Sequence, residues 1–486
     1  MHAVRQASKC FGNTCRCELA LKATRSKSDG PGVMVGDLGG FRTLAEMDEV
    51  RHSMAVQVRN ASTNLNDVSI PGHHKDSVGE VLGGRGSRQP CAGLEIEVGL
   101  LTGGQDRHYA FGLAMALVSN GVCLDFIGSD ETDSPELHGT PKVNFLNLRG
   151  NQRRDASLVK KVSRVLIYYA RLIRYAAIAR PKVFHILWNN KFEFFDRTLL
   201  LLYYKLLGKK IALTAHNVNA GRRDSTDTLV NRLGLRIQYR LADHIFVHTE
   251  EMKSELCAEF AVRKPAVTVI PYGINNAVPD TGLTSDEARQ RLGIRSGEKT
   301  ILFFGNIAPY KGLGDLIAAF QRIVTGHLDY RLIIAGRPKI GCEKYWEEIQ
   351  RTISRGFDRG RIIQKIDFIP DAETELYFKA ADVLALPYRH IFQSGVLFLG
   401  YSFGLPVVAA DVGALRKDII EGKTGFVFRT GDPADLAKTI ETYFSSELYR
   451  GLRNRRQELR DYANVRHSWD VVGQITRKVY AQLLEK

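Results

Sequence analysis

Residues Ile301–Phe320 read ILFFGNIAPYKGLGDLIAAF. The apolar run Ile301–Phe304 predicts a buried parallel strand that ends at Gly305, and the amphipathic pattern Leu313–Phe320 predicts a helix. The loop between them carries Lys311, so backbone N–H groups and a cation converge at the mouth of the helix. This arrangement suits a phosphate-bearing ligand, although strand–glycine–helix joints also occur in α/β proteins that bind no nucleotide.

Alternating strand and helix patterns extend on both sides of this stretch. In the first half, the strand LEIEVGLL is followed by the glycine turn Thr102–Arg107, a helix over His108–Asn120 and the strand Val122–Gly128. The other strand patterns are Val183–Trp188, Ile211–Ala215, His244–His248, Val267–Pro271, Arg331–Ala335, Ile362–Phe368, Val383–Pro387 and Pro406–Ala410, and the helical patterns between them include Ser157–Arg180, Asp196–Leu207, Thr228–Leu241 and Glu250–Phe260. The sequence therefore predicts an α/β protein with two Rossmann-like parallel-sheet domains that face each other across a cleft.

Composition and charge limit the partners of the chain. The 486 residues include 44% hydrophobic and 25% charged side chains, as in ordinary soluble globular proteins. A formal net charge of +15 favours anionic partners such as nucleotides, diphosphates or acidic lipid headgroups. The chain has no basic–aromatic repeat of an RNA-binding kind, so we expect no nucleic acid partner. A basic surface without one dedicated partner is the alternative.

Cysteines and apolar runs set two more limits. Cys10, Cys15 and Cys17 cluster without a later histidine at zinc spacing, so we expect no metal site. The odd and dispersed set of seven cysteines favours a reducing compartment. The longest apolar stretch, Thr198–Leu207, is broken by Lys205 and is too short to span a bilayer. We expect a cytoplasmic protein, with peripheral attachment to the inner face of the membrane as a further hypothesis.

Glycines and polar side chains follow several predicted strands, at the sheet edge where ligands of parallel sheets bind. Gly103, Gly104 and Arg107 open the first helix, where backbone N–H groups favour an anion, although tight-turn packing is the commoner role of such glycines. Their spacing is not GxGxxG, so no nicotinamide cofactor is indicated. His216 and Asn217 end the strand IALTAHN, and this histidine suits a sugar hydroxyl or a proton transfer.

Further candidates lie in the second half. Lys311 is the best cation for a diphosphate, because charge that builds on a leaving phosphate needs a fixed positive group; a solvated loop lysine is the alternative. Arg337, at the end of RLIIAGRP, is a second candidate cation for the cleft. The loop Gln393–Val396 offers backbone N–H groups to phosphate oxygens. His185 lies inside an apolar run, which favours a structural role.

Together these residues resemble a retaining glycosyltransferase of the GT-B fold, in the GT4 family (glycosyl transferase group 1). The resemblance covers Leu94 to the C-terminus. It is carried by the segments GGQDRHYAFGLAMALVSNGV, ALTAHN, FFGNIAPYKG, YFKAADVLALPY and QSGVLFLGYSFGLPVVAADVGAL. It implies that the first domain binds the acceptor, that the second binds a nucleotide-diphosphate sugar, and that the helix from Trp469 onward crosses back to the first domain.

The resemblance also assigns roles to residues. It implies that His216 contacts the sugar and Lys311 the diphosphate, which makes these two the predicted catalytic residues. The predicted donor-binding set is Gly305, Asn306, Lys311, Arg337, Phe368, Ile369, Gln393, Ser394, Gly395 and Val396. The predicted acceptor and phosphate loop comprises Gly103, Gly104, Arg107 and Asn217. No metal and no cofactor is expected, because the nucleotide-sugar is a substrate.

Three positions depart from the family pattern. Asn306 stands where family members usually carry an arginine, and Ile391 and Leu399 stand where they carry two glutamates. The second glutamate normally holds the ribose hydroxyls. A branch with the loop QSGV and a different ribose contact is the favoured interpretation.

The predicted domains follow from these patterns: 1–92 a disordered or artefactual extension, 93–275 the acceptor-binding domain, 276–460 the donor-binding domain, and 461–486 the crossing helix. The predicted function is transfer of a sugar to a glycan or lipid-linked acceptor with retention of anomeric configuration, with an anionic membrane surface as a further partner. A non-catalytic GT-B protein that binds nucleotide or partner subunits is the alternative. A nucleotide-sugar isomerase would need acid/base carboxylates, which the sequence does not offer.

Overall fold

The computed structural model of the protein describes residues 95–104, 106–152, 157–224, 226–274, 278–356 and 360–485. The predicted extension over 1–92 lies outside the described residues. The described residues fall in one compact unit, which contains two parallel sheets.

The first sheet has seven parallel strands in the order β3-β2-β1-β4-β5-β6-β7. Strand β1 is central, since Val98 pairs with Leu124 on one side and with Val183 on the other. The strands are β1 (Glu97–Leu101), β2 (Cys123–Gly128), β3 (Val143–Asn147), β4 (Val183–Ile186), β5 (Lys210–Thr214), β6 (His244–Val247) and β7 (Val267–Val269).

Helices connect these strands and cover both faces of the sheet. They are α1 (Arg107–Ser119), α2 (Pro135–Gly139), α3 (Leu158–Ile178), α4 (Glu193–Phe195), α5 (Leu201–Leu206), α6 (Ala220–Arg223), α7 (Leu229–Leu241) and α8 (Glu250–Phe260). A π-helical turn, Asp196–Leu200, joins α4 to α5, and a 3-10 turn, Lys264–Ala266, precedes β7.

The second sheet has six parallel strands in the order β10-β9-β8-β11-β12-β13. Strand β8 again is central, because Ile301 pairs with Leu332 and with Val383. The strands are β8 (Lys299–Phe304), β9 (Tyr330–Ala335), β10 (Ile362–Lys365), β11 (Val383–Leu386), β12 (Val407–Ala410) and β13 (Gly425–Phe428).

The helices of the second half begin with α9 and end with α18. They are α9 (Ser285–Arg291), α10 (Leu313–Gly326), α11 (Glu343–Gly356), α12 (Asp371–Ala380), α13 (Gly395–Ser402), α14 (Leu415–Asp418), α15 (Pro433–Ser445), α16 (Glu447–Arg450), α17 (Leu452–Arg466) and α18 (Trp469–Leu484). A 3-10 turn, Pro309–Lys311, precedes α10.

Each central strand is buried on both faces, which explains its continuous apolar sequence. Ile301 and Phe303 pack into one core of the second sheet, and Leu302 packs into the other. In the first sheet, Leu100 and Leu101 divide between two cores in the same way. Period-2 alternation of side chains across a sheet with helices on both faces accounts for this division.

The last helix, α18, packs on the first half of the chain. Val472 and Tyr480 belong to the core of the first sheet. Trp469 lies so close to α1 that a Cβ at Gly112 would be 2.3 Å from the indole ring, and the indole N–H donates to the carbonyl of Ile274 at 2.8 Å. The domain limits that the sequence suggested stay a prediction.

The predicted fold class is confirmed, whereas two strands were missed. β3 and β13 lie at sheet edges, where side chains are only partly buried and the apolar signal is weak. The pattern Ile362–Phe368 was too long, since β10 ends at Lys365. In the described part of the chain, no helix is both long and apolar enough to cross a bilayer.

Candidate functional site

A cavity of about 290 Å³ lies where the carboxyl ends of strands from both sheets meet. Its position agrees with the rule that parallel α/β sheets bind ligands beyond the carboxyl ends of their strands. The lining residues come from both halves and from the last helix: Asp106, His108, Tyr109, Tyr272, Gly273, Lys311, Ile391, Gln393, Ser394, Gly395, Val396, Leu399 and Trp469.

Lys311 is the buried cation of this cavity. Its side chain donates a hydrogen bond to the Tyr388 hydroxyl at 2.7 Å, and its ammonium lies 4.0 Å from the centre of the Tyr388 ring. Burial lowers the pKa of Lys311 to about 8. Gly312 closes the turn at φ +68°, where a Cβ would lie 1.7 Å from the Pro387 carbonyl oxygen. The solvated-lysine alternative therefore does not describe this side chain.

The loop Gln393–Val396 lies next to Lys311. The Ser394 hydroxyl donates to the Tyr388 hydroxyl at 3.4 Å, so one tyrosine contacts both the lysine and the loop. Gly395 is the first residue of α13, and a Cβ there would lie 3.1 Å from the Tyr272 hydroxyl. Unpaired N–H groups of the first helical turn point out of the helix start, which favours an anion beside the Lys311 ammonium.

The remaining predicted donor-binding residues form a second group outside the cavity lining. The loops after β8 and β9 touch, because a Cβ at Gly336 would lie 1.9 Å from the Gly305 carbonyl oxygen. Beside this contact the Arg337 guanidinium lies 5.1 Å from the centre of the exposed Phe368 ring. Ile369 is buried and Asn306 is exposed.

Gly305 links this second group to the cavity. A Cβ placed on Gly305 would lie 3.7 Å from the Val396 side chain. Because Val396 lines the cavity and Gly305 precedes Asn306, the two groups of predicted donor residues are adjacent around one strand end.

His216 lies beside the cavity and packs among aromatic rings. Its ring stacks on Trp188 at 4.4 Å and meets the edge of Tyr109, a lining residue, at 4.6 Å. Its Nδ1 lies 3.1 Å from Nε2 of His248, and Nδ1 of His248 lies 3.4 Å from the carbonyl oxygen of Ile270. Burial, with a smaller contribution from His248, holds the pKa of His216 well below its usual range.

These contacts fix the tautomer of His216. Burial lowers the pKa of His248 to about 4, so both rings are neutral at pH 7. The Ile270 carbonyl only accepts, so His248 must donate from Nδ1 and accept at Nε2. His216 then donates from Nδ1 and keeps its lone pair at Nε2. That Nε2 is buried and makes no hydrogen bond with the described residues, so it is ready to accept one from a hydroxyl.

The predicted acceptor and phosphate loop lies on the first-sheet side of the cleft. Gly103 has φ +60°, and a Cβ there would lie 2.5 Å from the Trp188 carbonyl oxygen. Its own carbonyl oxygen accepts a hydrogen bond from Arg149, whose guanidinium also fills the space beside Gly104. Arg107 is exposed at the start of α1.

Asn217 does not lie with Gly103 and Gly104, although the sequence placed it in the same predicted group. Its side-chain oxygen accepts from Arg223 at 3.5 Å, and Arg223 also pairs with Asp224 at 3.0 Å. The structure therefore separates Asn217 from the two glycines and places it with a group of charged residues at the edge of the cleft.

Ion pairs and hydrogen bonds join the two halves across the cleft, and no sequence pattern predicted them. His108 contacts Asp371 at 3.0 Å, and this hydrogen bond is the main reason why the pKa of Asp371 is lowered. Lys339 pairs with Asp224 at 2.7 Å, and the Arg223 guanidinium lies 4.7 Å from the Tyr310 ring. These contacts bridge the two halves of the chain.

Two of the three positions that depart from the family pattern line the cavity, whereas Asn306 lies outside it. Ile391 and Leu399 contribute apolar surface, and Asp106 is the single carboxylate among the lining residues. Asp106 caps α1 by accepting from the Tyr109 N–H at 3.1 Å, and it accepts from the Tyr272 hydroxyl at 3.3 Å. Within the described residues, no group of three or more His, Cys, Asp or Glu is placed to hold a metal ion.

His185 is a structural residue, as its sequence context favoured. It is fully buried, and its two ring nitrogens bond the hydroxyl groups of Tyr480 and Thr214. These contacts join α18 to the first sheet.

A second, cationic cavity of about 380 Å³ lies at the mouth of the cleft. Four of its lining residues are cations and none is an acid. The lining comprises Arg149, Gln152, Lys161, Arg164, Val165, Tyr168, Tyr169, Asn190, Lys191 and Ile340. Arg149 donates to the carbonyl of Gly103 in the loop before α1, and Ile340 comes from the second half of the chain.

Comparison with known families gives a match in each half of the chain. The family described as Glycosyltransferase Family 4 matches residues 102–278, and the family described as Glycosyl transferases group 1 matches residues 298–446. The first match contains α1 and His216, and the second contains Lys311 and the loop Gln393–Val396.

Curated relatives are similar over part of their length. The D-inositol 3-phosphate glycosyltransferase of Corynebacterium efficiens is 27% identical over 210 residues, which is 42% of this chain and 49% of that protein. An uncharacterized glycosyltransferase of Methanocaldococcus jannaschii is 26% identical over 249 residues, or 49% of this chain and 59% of that protein. The chain thus spans about half the length of the curated relatives it matches.

Solved structures share the fold. The Anabaena protein HepE, in complex with UDP and glucose, has a TM-score of 0.61 at 17% identity and covers 80% of this chain and 100% of its own. Sucrose-phosphate synthase from Thermosynechococcus elongatus has a TM-score of 0.63 at 16% identity and covers 81% of this chain and 100% of its own. At these identities the likeness establishes the two-domain architecture alone.

Proposed function

The chain belongs to the GT-B glycosyltransferases of the family 4 and group 1 type, and from that membership we propose that it transfers a sugar from a nucleotide-diphosphate sugar to a glycan or lipid-linked acceptor. One observation carries the proposal. The buried Lys311 ammonium and the start of α13 line the same cavity as the start of α1, so a diphosphate and an acceptor hydroxyl would meet there.

Lys311 would stabilise the leaving diphosphate. Negative charge develops on the phosphate oxygen as its bond to the anomeric carbon breaks, and a preorganised cation in a water-poor cavity stabilises that charge most effectively. The N–H groups at the start of α13 would add to this effect. Arg337 is a second candidate cation, through the loop contact between Gly336 and Gly305.

His216 would position the sugar rather than form a bond to it. Its free Nε2 lone pair is suited to accept a hydrogen bond from a sugar hydroxyl, and its stack on Trp188 fixes the ring. The low pKa keeps the ring neutral, so this acceptor is available across the physiological range.

We propose retention by front-face displacement. The acceptor oxygen would bond to the anomeric carbon on the face from which the diphosphate leaves, and the acceptor proton would pass to the leaving diphosphate oxygen. A double displacement needs a free carboxylate nucleophile. Asp106 is the only cavity-lining carboxylate, and it is engaged by the Tyr109 N–H and the Tyr272 hydroxyl, which supports the single-step route.

The cationic cavity supports a negatively charged acceptor. Arg149, Lys161, Arg164 and Lys191 would bind phosphate oxygens. A phosphate-bearing acceptor agrees with the similarity to the D-inositol 3-phosphate glycosyltransferase of Corynebacterium efficiens. A lipid-linked phosphate presents the same chemistry to these side chains.

A donor screen tests the proposal. Purified protein is titrated with UDP-, GDP- and ADP-sugars, and binding and slow hydrolysis are recorded. At least one donor should bind and be hydrolysed, Lys311→Ala should abolish turnover, and the exposed Lys438→Ala should not. If no donor in the panel binds or is hydrolysed, the proposal is wrong.

The second candidate is a non-catalytic GT-B protein that binds nucleotide or a partner subunit. Leu399 favours it, because an apolar side chain lines the cavity where family members carry the ribose-binding glutamate. Lys311→Ala separates the two candidates, since a transferase loses turnover whereas a non-catalytic binder has no turnover to lose and keeps its partner.

A further inference from the structure

Exposed apolar side chains are concentrated on one part of the surface. In the described part of the chain, sixteen of the 23 exposed large hydrophobic side chains lie between residues 158 and 233. We call these sixteen the apolar face: Leu158, Val159, Val162, Leu166, Ile167, Ile173, Ile178, Phe192, Phe194, Leu199, Leu202, Leu206, Leu207, Leu229, Val230 and Leu233. Soluble proteins rarely leave so much contiguous apolar surface in water without a partner.

The elements that carry the apolar face pack side by side. Tyr169 of α3 stacks on Phe192 at 5.6 Å and 11°, and the Tyr203 hydroxyl of α5 donates to the Ile173 carbonyl of α3 at 3.2 Å. The segment 192–207, which we call the middle segment of the apolar face, is therefore in contact with α3.

The middle segment also contacts α7. Arg197 donates to the Asn231 side chain at 2.7 Å, and a Cβ at Gly234 would lie 3.4 Å from the Phe194 ring. The middle segment thus contacts α3 on one side and α7 on the other, so the exposed apolar side chains of all three belong to one surface region.

Helix α3 is apolar on two sides. Tyr168, Leu172 and Tyr175 are buried against the first sheet. Leu158, Val162 and Leu166 recur every four residues on the exposed side, with 77%, 51% and 59% of their surface in solvent. Packing on the sheet explains the first stripe and leaves the second without a partner among the described residues.

The helices α3 and α7 carry charges of one sign, and the exposed Glu193 between them is paired with Arg197. Helix α3 contains five lysine or arginine residues and no acid, and α7 contains three arginines and no acid. Apolar side chains flanked by cations are the pattern by which interfacial helices bind anionic bilayers.

We propose that the apolar face docks on an anionic lipid bilayer, with α3 lying in the interface. A second copy of the chain fits less well, because a two-fold contact through this face would bring the same cations together. A bilayer containing acidic lipids accepts the apolar side chains and neutralises the cations.

Docking on a bilayer would bring the protein to a lipid-linked acceptor, and this part of the inference rests on the proposed function. Lys161 and Arg164 of α3 also line the cationic cavity. A bilayer on the apolar face would therefore lie next to the cavity in which we place the acceptor phosphate, so a lipid-linked acceptor would reach it without leaving the membrane.

Vesicle binding of the full chain at low salt tests this proposal without turnover. Phosphatidylcholine vesicles with phosphatidylglycerol should co-sediment with the protein, and vesicles of phosphatidylcholine alone should bind it far more weakly. Arg171→Gln and Arg174→Gln should each weaken binding about fivefold. The matched pair Arg351→Gln and Arg355→Gln, on α11, should leave it unchanged.

The apolar contribution has its own variants. Val162→Ser with Leu166→Ser should abolish most of the binding. Leu328→Ser with Val465→Ser, at two positions outside the apolar face that are even more exposed, should not. Donor binding and thermal melting confirm that each variant is folded. The proposal is overturned if the full chain does not bind anionic vesicles. It is also overturned if the protein is a dimer in solution and the double variant Val162→Ser with Leu166→Ser dissociates that dimer. Because Lys311→Ala should still bind vesicles, failure of the proposed activity is distinguishable from failure of docking.

Discussion

The Lys311 ammonium lies 2.7 Å from the Tyr388 hydroxyl and 4.0 Å from the centre of the same ring. The tyrosine thus holds the lysine with both its oxygen and its π face. Tyr388 is itself fully buried behind the strand end of β11. This pair makes the cation of the cavity rigid before any ligand arrives, which is what stabilisation of a leaving diphosphate requires.

Donor binding should weaken as the pH rises through about 8. Lys311 has a folded-state pKa of about 8, so it is charged below that pH and neutral above it. If only the charged form binds diphosphate, affinity falls about tenfold per pH unit above the pKa. Titration calorimetry with the nucleoside diphosphate of the donor identified in the screen measures this profile. Lys311→Arg should remove the inflection, and a flat wild-type profile from about pH 7 to 9.5 would contradict the prediction.

Tyr388→Phe should shift that profile rather than eliminate binding. The variant keeps the ring under the ammonium and removes the oxygen that accepts from Lys311. Loss of one such hydrogen bond weakens donor affinity by roughly three- to tenfold, and it favours the neutral lysine. The inflection should therefore move below about pH 8. An unchanged midpoint would mean that the hydroxyl does not stabilise the charged lysine.

His216→Phe should reduce transfer without changing the packing. Phenylalanine can keep the stack on Trp188 but has no lone pair at the Nε2 position. We expect kcat/KM to fall about tenfold, the loss of one hydrogen bond to the sugar.

Deoxy donors provide the control for this variant. A donor that lacks the contacted hydroxyl should react equally with the wild type and with His216→Phe, because the interaction is already absent. If every deoxy donor retains the full difference, the Nε2 lone pair has another role.

The protein should lose stability on mild acidification. Burial lowers the pKa of His185 to about 3 and those of His248 and His467 to about 4. These rings stay neutral in the folded protein, whereas the same histidines in the unfolded chain take up protons near pH 6.5. The free energy of unfolding is therefore highest above pH 6.5 and decreases as the pH falls toward 4. Within that pH range, each of these histidines lowers the free energy of unfolding by about 1.4 kcal/mol per pH unit.

Urea unfolding at several pH values measures this slope. His467→Leu should make it shallower by about 1.4 kcal/mol per pH unit, because one buried neutral histidine is removed. A free energy of unfolding that is constant between about pH 6.5 and 4.5 would contradict the prediction.

Gly336→Ala should be strongly destabilising. The residue has φ +149°, and a Cβ there would lie 1.9 Å from the Gly305 carbonyl oxygen, so both conformation and contact oppose a side chain. We expect a loss of about 2–4 kcal/mol. Gly341→Ala is the matched control, since Gly341 has φ +85° with no atom within 4 Å of its Cβ position, and it should cost about 1 kcal/mol. Equal losses in urea unfolding would show that the contact with Gly305 is unimportant.

Much of the fold was predictable from short-range patterns. The central strands β1 and β8 are buried on both faces, so their sequences are largely apolar, and each is followed within two residues by a glycine with positive φ. Strands β3 and β13 were missed because one side of an edge strand has no neighbour, and partly exposed side chains leave a weaker pattern. The strands that the sequence patterns missed thus lie at the edges of the two sheets.

The candidate site was predicted only in part. Lys311 and Ser394 were identified because a cation and a glycine loop follow predicted strands. Tyr388, Trp188 and Tyr272 were not identified, since an aromatic residue in or next to an apolar run carries no sign of where its hydroxyl or ring will point.

The sequence by itself determined two parallel sheets, the cation at the mouth of α10 and the glycines that let loops approach a ligand, because each depends on neighbouring residues along the chain. The tertiary structure alone decided which of these groups meet. Strand order placed Lys311 on Tyr388, 77 residues away, and packing between the two halves placed His108 on Asp371, 263 residues away. Such pairings are set by sheet topology and by packing between the halves, and no local pattern encodes either.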